Sequence, residues 1–233
     1  MEGYGHPKFR NIALTFPSDP PNVPKYYNPV GSYKRVFHID KSWQDRRIFL
    51  HFEGVKSAFH VWINGQEVGY NQGSMEPAEF DITEYVKLGD NQIAVQVLRY
   101  SDGTYLENQD MWRLAGIYRK VYLFAAPEVH MRDYYVFTDF DEKYENADLH
   151  VEVDVSNYSR LTSRGYSIQL DVLNESGTSV LSKPMNEKIT VLPSENDKYK
   201  FIQQIKQPLQ WSAEKPNLYT LTLELLNEDN KVI

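Results

Sequence analysis

A period of two runs through most of the chain. In GSYKRVFHI, Tyr33, Arg35, Phe37 and Ile39 alternate with polar positions. RIFLHFEG places Ile48, Leu50 and Phe52 on one face. In SAFHVWINGQEVGYNQG two strand-like runs flank Asn64–Gly65, the dipeptide that suits a two-residue type I′ hairpin turn. AEFDITEYVKLGDNQIAVQVLR predicts a short helical turn at Ile82–Val86, a Gly-Asp-Asn turn, and a strand from Gln92 to Arg99. The register breaks near Ala126–Pro127 and a second strand set follows. Its clearest member is ADLHVEVDV, with Leu149, Val151, Val153 and Val155 on one face, and NESG and NEDN read as hairpin turns. Nothing shows a helical period for more than about two turns. The spacing predicts an all-β chain of two sandwiches, residues 1–127 and 128–233. The second, with about seven short strands, has the size of an immunoglobulin-like sandwich but not its Cys…Trp…Cys hallmark.

Other features narrow the function classes. Residues 7–29 are rich in proline, which bars a helix or central strand and predicts an arm running extended over a surface. The net charge of −7 comes without a basic patch, which argues against a nucleic-acid partner. No run approaches the ~18 apolar residues of a membrane span, so no membrane partner is expected. MEGYGHPKFR has no apolar signal-peptide core, and the compartment stays open between cytoplasm and periplasm. The absence of cysteine excludes disulfides, thiolate metal sites and a cysteine nucleophile. The six histidines show no HxH or HExxH spacing, and His38, His51, His60 and His150, which lie in strands, are expected to be structural. Trp211 is expected to plug a sandwich edge before the last strands. Lys231–Ile233 starts a return strand, so the sequence reads as a piece of a longer polypeptide.

The densest chemistry lies in YSDGTYLENQDMWRLAGIY, between the strand-like runs Gln92–Arg99 and Tyr118–Phe124. Asp102, Glu107, Asp110 and Arg113 are interleaved there with Tyr105, Met111 and Trp112. The connection is about three times as long as a hairpin loop. Carboxylates that accept hydroxyl hydrogen bonds, beside aromatic faces, suit a sugar or cation site. The same residues also suit a braced loop whose acids pair with Arg113 and Arg119. Glu107 and Asp110 are also open to reading as a glycosidase carboxylate pair, which needs a separation of about 5–5.5 Å in retaining enzymes.

Taken together, GSYKRVFHI, FEGVKSAFHVWINGQEVGY, EFDITEYVKLGDNQIAVQVLRYSDGTYLENQDMWRLAGIYRKVYL and WSAEKPNLYTLTLEL resemble the N-terminal region of β-galactosidases of glycoside hydrolase family 2. The resemblance covers nearly the whole chain and is strongest from Gly31 to Leu123. It implies a jelly-roll sugar-binding domain, then an immunoglobulin-like domain, then a (β/α)8 barrel that carries both catalytic glutamates. A barrel needs about 250 residues, so no catalytic residue is expected in this chain. Asp110, in NQDMW, matches the family aspartate that enters the barrel mouth, binds the galactosyl ring and shares a sodium ion with barrel residues. Asn11, in GHPKFRNIALTFP, matches the family asparagine of the galactose pocket. The implied parent is a retaining, homo-oligomeric β-galactosidase using sodium and magnesium, with a galactoside as substrate. These residues alone would be inactive and free of cofactor. A stand-alone carbohydrate-binding module is the alternative.

Overall fold

The computed structural model describes residues 14–107, 110 and 113–233. The described residues form two compact units, one up to Ala125 and one from Ala126 to Ile233. Strands of the first are β1 (Val30–Ile39), β2 (Arg47–Phe52), β3 (Val55–Lys56), β4 (Ala58–Ile63), β5 (Gln66–Gln72), β6 (Ala78–Asp81), β7 (Gly89–Leu98), β8 (Gly116–Ile117) and β9 (Val121–Ala126). They build a four-stranded sheet in the order β1-β7-β4-β5, a three-stranded sheet β6-β2-β9, and the small pair β3-β8. The second unit holds β10 (Val129–Phe140), β11 (Asn146–Asn157), β12 (Tyr166–Leu173), β13 (Met185–Ile189), β14 (Glu195–Lys206) and β15 (Thr220–Leu226). Its two sheets run β10-β11-β14 and β13-β12-β15. The architecture is all-β, a jelly-roll-type sandwich followed by an immunoglobulin-like one. One α-helical turn, α1 (Gly103–Leu106), interrupts it.

Each unit has its own apolar centre. In the first, Phe52 and Phe59 lie 4.8 Å apart between ring centroids, and Phe80 closes on both edge-to-face. Ile39, Val61, Ile63 and Ile82 complete that core at 1% exposure or less. In the second, Val151, Val153 and Val155 share a core with Ile168, Leu170 and Leu225, as the alternation in β11 predicts.

The Asn64–Gly65 turn joins β4 to β5 with φ of 51° and 84°, the left-handed pair that a type I′ turn requires. The Asn64 amide donates to Tyr85 O (2.9 Å) and to Asn91 Oδ1 (2.8 Å), and its oxygen accepts from Gln92 N (3.0 Å). Asn91, almost fully buried, bonds both the N–H and C=O of Lys87. A turn residue thus ties the hairpin to the start of β7.

Several expectations need correction. Gly89–Asn91 is not a turn but the first part of β7, paired with Phe37–Ile39 of β1. The run Tyr118–Phe124 is not one strand: β8 ends at Ile117 and β9 begins at Val121. In β2 the buried set is wider than one face, because Phe49 stacks on Phe124 with 5.1 Å between centroids. The second unit has six strands among the described residues rather than seven, plus bridges at Leu173–Ser179, Trp211–Pro216 and Leu226–Val232. Two of these bridges close the NESG and NEDN turns. Trp211 is 64% exposed and plugs nothing; its bridge to Pro216 is made by backbone, so the ring is left outside.

Candidate functional site

The long connection after β7 does not close a hairpin. β7 belongs to the four-stranded sheet and β9 to the three-stranded one, so the chain crosses from sheet to sheet. On the way it makes α1 and then β8, which pairs with β3 through Val55–Ile117 and Lys56–Gly116. Part of its length is therefore spent on crossing.

Asp102 caps α1 by accepting from Gly103 N at 2.9 Å. At the other end the Glu107 N–H donates to Gly103 O at 2.9 Å. The Glu107 carboxylate turns inward. One oxygen accepts from Ser74 N at 2.7 Å and the other from the Ser74 hydroxyl. Ser74 is fully buried, and its carbonyl accepts from the Tyr118 hydroxyl. A Cβ on Gly54 would sit 2.7 Å from the Tyr118 ring, so only glycine lets that ring lie there. Arg113 is buried, with its guanidinium donating to Glu107 O at 3.5 Å, and Arg99 donates to Arg113 O at 3.2 Å. Lys56 is buried too. Burial lowers its pKa, the Glu107 charge raises it, and the Arg113 charge lowers it again. The loop base is thus one carboxylate set among two buried cations and a buried serine.

The loop aromatics fasten a different segment. Tyr100 holds the proline-rich arm: its backbone N–H and C=O both pair with the Asn28 amide at 2.9 Å, and its hydroxyl meets Thr15 Oγ1 at 2.6 Å. Phe16 packs edge-on against Tyr100 and Tyr105, with centroids 4.8 and 5.8 Å away. The Tyr105 hydroxyl donates to Asn22 O and accepts from Asp19 N. Residues 14–29 are therefore tied to the loop by its own tyrosines. Arg119 does not pair with the loop acids: it lies over the Tyr118 ring and donates to Glu53 O.

Asp110 sits at an exposed bend between Glu107 and Arg113. Asn11, Met111 and Trp112 lie outside the described residues. The two carboxylates differ in placement. Glu107 is committed with both oxygens to Ser74, whereas Asp110 is at the surface. A Glu107–Asp110 catalytic pair is contradicted by that commitment, since a nucleophile or general acid needs a carboxylate oxygen turned to substrate. Among the described residues no group of three or more His, Asp or Glu could hold a metal ion. Asp110 by itself offers the oxygen ligands of one carboxylate, which fits a hard cation only if other oxygens join it.

Histidines take structural partners: His38 with Asp90 (2.9 Å), His51 with Glu79 (3.3 Å), His60 with Glu67 (2.9 Å), and His150 stacked on Phe137 at 4.4 Å. No described helix is long and apolar enough to cross a membrane. Sequence reasoning missed Ser74 and Lys56. Ser74 lies 33 residues from Glu107 and carries no motif. Lys56 reads as a surface lysine, and its burial beside the Glu107 and Arg113 charges depends on residues more than 50 positions away.

Comparison with known proteins adds the lineage. Residues 1–127 match the family model described as "Glycosyl hydrolases family 2, sugar binding domain", and residues 129–233 match "Glycosyl hydrolases family 2". A β-galactosidase of Priestia megaterium (strain DSM 319 / IMG 1521) is 41% identical over 237 residues, covering 100% of this chain and 23% of that protein. One from Yersinia pestis bv. Antiqua (strain Angola) is 40% identical over 242 residues, with the same coverage of both. The chain thus spans about a quarter of the length of these curated relatives. Among solved structures, Bacteroides uniformis β-glucuronidase superposes with a TM-score of 0.80 at 22% identity, over 88% of this chain and 25% of that one. A putative β-galactosidase from Bacteroides fragilis gives 0.78 at 23% identity, over 89% and 32%. At these identities the structures show the shared fold.

Proposed function

The chain belongs to glycosyl hydrolases family 2, and from that premise we propose that it is the non-catalytic N-terminal pair of domains of a β-galactosidase. The observation that carries this is identity along the full chain: 41% with a β-galactosidase, with no stretch of these residues left unmatched. The parent hydrolyses terminal β-galactosides with retention, through a covalent galactosyl-enzyme intermediate. Its catalytic glutamates lie in a (β/α)8 barrel elsewhere in the polypeptide, and these 233 residues alone do not hydrolyse.

The loop after β7 is this chain's contribution to the active site. Its base is fixed by Glu107, Ser74, Lys56 and Arg113, so that the exposed Asp110 is held out on a braced support. Asp110 accepts a galactosyl hydroxyl and supplies one ligand of a sodium ion whose other oxygens come from barrel residues. Asn11 completes the galactose pocket, and magnesium serves the full-length enzyme outside these residues. A bracing network that costs nothing at the moment of reaction is what preorganised binding needs.

Asp110→Asn in the full-length enzyme tests this. The carboxamide keeps the shape but loses the charge, so hydrolysis is expected to fall by about two orders of magnitude and its sodium dependence to weaken. A variant with the parent rate and the parent sodium response would remove Asp110 from the site.

A further inference from the structure

Asn64–Gly65 is the sole Asn-Gly dipeptide in the sequence. An asparagine side-chain amide can be attacked by the next backbone nitrogen, and glycine puts no Cβ in the way of that approach. Both residues are exposed, and nothing lies within 4 Å of where a Gly65 Cβ would stand. The fold sets a clamp against this chemistry. Asn64 Nδ2 donates to Tyr85 O at 2.9 Å and to Asn91 Oδ1 at 2.8 Å, while Asn64 Oδ1 accepts from Gln92 N at 3.0 Å. The Asn64 backbone N–H also donates to Gln92 O at 2.8 Å. The whole side-chain amide is thus engaged on the segment that leads into β7. The clamp has a fixed polarity as well. Buried Asn91 donates from Nδ2 to Lys87 O at 2.7 Å and Gly89 O at 2.9 Å, and its Oδ1 accepts from Lys87 N at 2.9 Å. Turning the Asn91 amide over would break all three of these bonds. Asn91 and the Tyr85 carbonyl therefore offer Asn64 acceptors only, and position 64 must carry donors.

From this geometry we infer that Asn64 is a self-modification site gated by the hairpin: its amide is lost when the clamp opens, and the product cannot close the clamp again. The Gly65 nitrogen gives up its proton to solvent base and attacks Asn64 Cγ. The new N–C bond closes an imide ring, the Cγ–Nδ2 bond breaks, and Nδ2 leaves as ammonia after taking a proton from solvent. Water then opens the ring at one of its two carbonyls. Attack at Cγ gives an aspartate at position 64. Attack at the backbone carbonyl gives an isoaspartate, whose chain runs through the side chain and is longer by a methylene. While clamped, Cγ must release three side-chain hydrogen bonds before it can turn to Gly65. The aspartate product points a carboxylate at Tyr85 O and Asn91 Oδ1, and an ionised carboxylate only accepts. The isoaspartate product lengthens a two-residue turn whose ends, Ile63 and Gln66, are paired. Either product unties the β4-β5 hairpin from the start of β7, so the change is a one-way record of opening in the first unit. The inference rests on the turn and its partners, not on which sugar is cut.

Peptide-mapping mass spectrometry follows loss of the Asn64 amide at mildly alkaline pH in the 233-residue chain and in a synthetic peptide of Phe59–Tyr70. The peptide carries the same dipeptide without the clamp. The folded chain is expected to react at least about tenfold more slowly than the peptide, because three hydrogen bonds must open first. In urea strong enough to unfold the first unit, the chain should react at the peptide's rate. Asn64→Asp, which installs one of the two products directly, should lower the urea midpoint of the first unit and speed amide exchange at Gln92, whose N–H the side chain at position 64 accepts. The comparison of folded chain, unfolded chain and peptide needs no substitution, so it stands even where the variant does not fold. A folded chain that reacts as fast as the peptide, an unfolded chain that stays as slow as the folded one, or an Asn64→Asp midpoint equal to the parent's would overturn the inference. None of these readings involves sugar hydrolysis, so they stand or fall apart from the galactosidase assignment.

Discussion

Glu107→Ala is the sharpest test of how the loop is held. The substitution removes the acceptor of two hydrogen bonds, one from the buried Ser74 N–H and one from its hydroxyl. It also removes the negative charge beside buried Lys56. A hydrogen bond to a charged group is worth about 1.5–3 kcal/mol, and an orphaned buried donor adds its own desolvation cost. Breaking a buried charge cluster from one side costs about 3–5 kcal/mol. These effects overlap, so the expected loss is about 3–4 kcal/mol. Urea unfolding of the 233-residue chain measures it on the transition of the first unit, with the second unit as an internal reference. Glu107→Gln should lie between parent and Glu107→Ala, because one oxygen still accepts while the amide opposes a donor. Adding Lys56→Met to Glu107→Gln should recover part of the loss, since the buried cation beside the lost charge goes with it. A cost below about 0.5 kcal/mol for Glu107→Ala would place it with ordinary surface changes and refute the bracing account.

Three further outcomes follow from the fold. Asp81 has its pKa lowered: burial pushes it up, but the Thr83 hydrogen bonds and the Arg47 guanidinium outweigh that. A depressed carboxylate stabilises the fold above its unfolded value near 3.9, and that contribution drains away as pH falls through the folded value. Asp81→Asn should therefore flatten the loss of first-unit stability on acidification below about pH 4, read by denaturant midpoints against pH. Gly65→Ala should cost about 1–2 kcal/mol, because φ is 84° while nothing lies within 4 Å of the new Cβ. The midpoint of urea unfolding checks this, and an unchanged midpoint would contradict the left-handed turn. Tyr100→Phe should cost about 1 kcal/mol by losing the Thr15 contact while keeping the Phe16 ring contact, with faster amide exchange at Asn22 as a sign of a loosened arm.

What the sequence shows of this fold, and what it hides, follows from the range of the forces involved. Leu149–Val155 and Asn64–Gly65 are legible because each is decided by neighbours two residues apart or by one dipeptide's φ. The double-sided burial of β2 is hidden because it depends on Phe124, 75 positions after Phe49, coming to stack there. Gly89–Asn91 looks like a turn by composition, yet ten consecutive pairs with β1 override that preference. Trp211 looks like a plug because large aromatics usually bury, but its segment is held by backbone and leaves the ring in solvent. In the site, the run of acids marks the loop but not the division of labour within it. That Glu107 braces, with its carboxylate on Ser74, is settled by a residue with no signature of its own. The roles proposed for Asp110 and Asn11 rest on family resemblance rather than on local sequence pattern.

The most direct measurement is galactoside hydrolysis by the 233-residue chain beside the polypeptide encoded by its uninterrupted reading frame, both at matched concentration and with sodium and magnesium present. The account predicts turnover by the longer protein alone. Turnover by the 233-residue chain would contradict it, and would return Glu107 and Asp110 to consideration as catalytic groups.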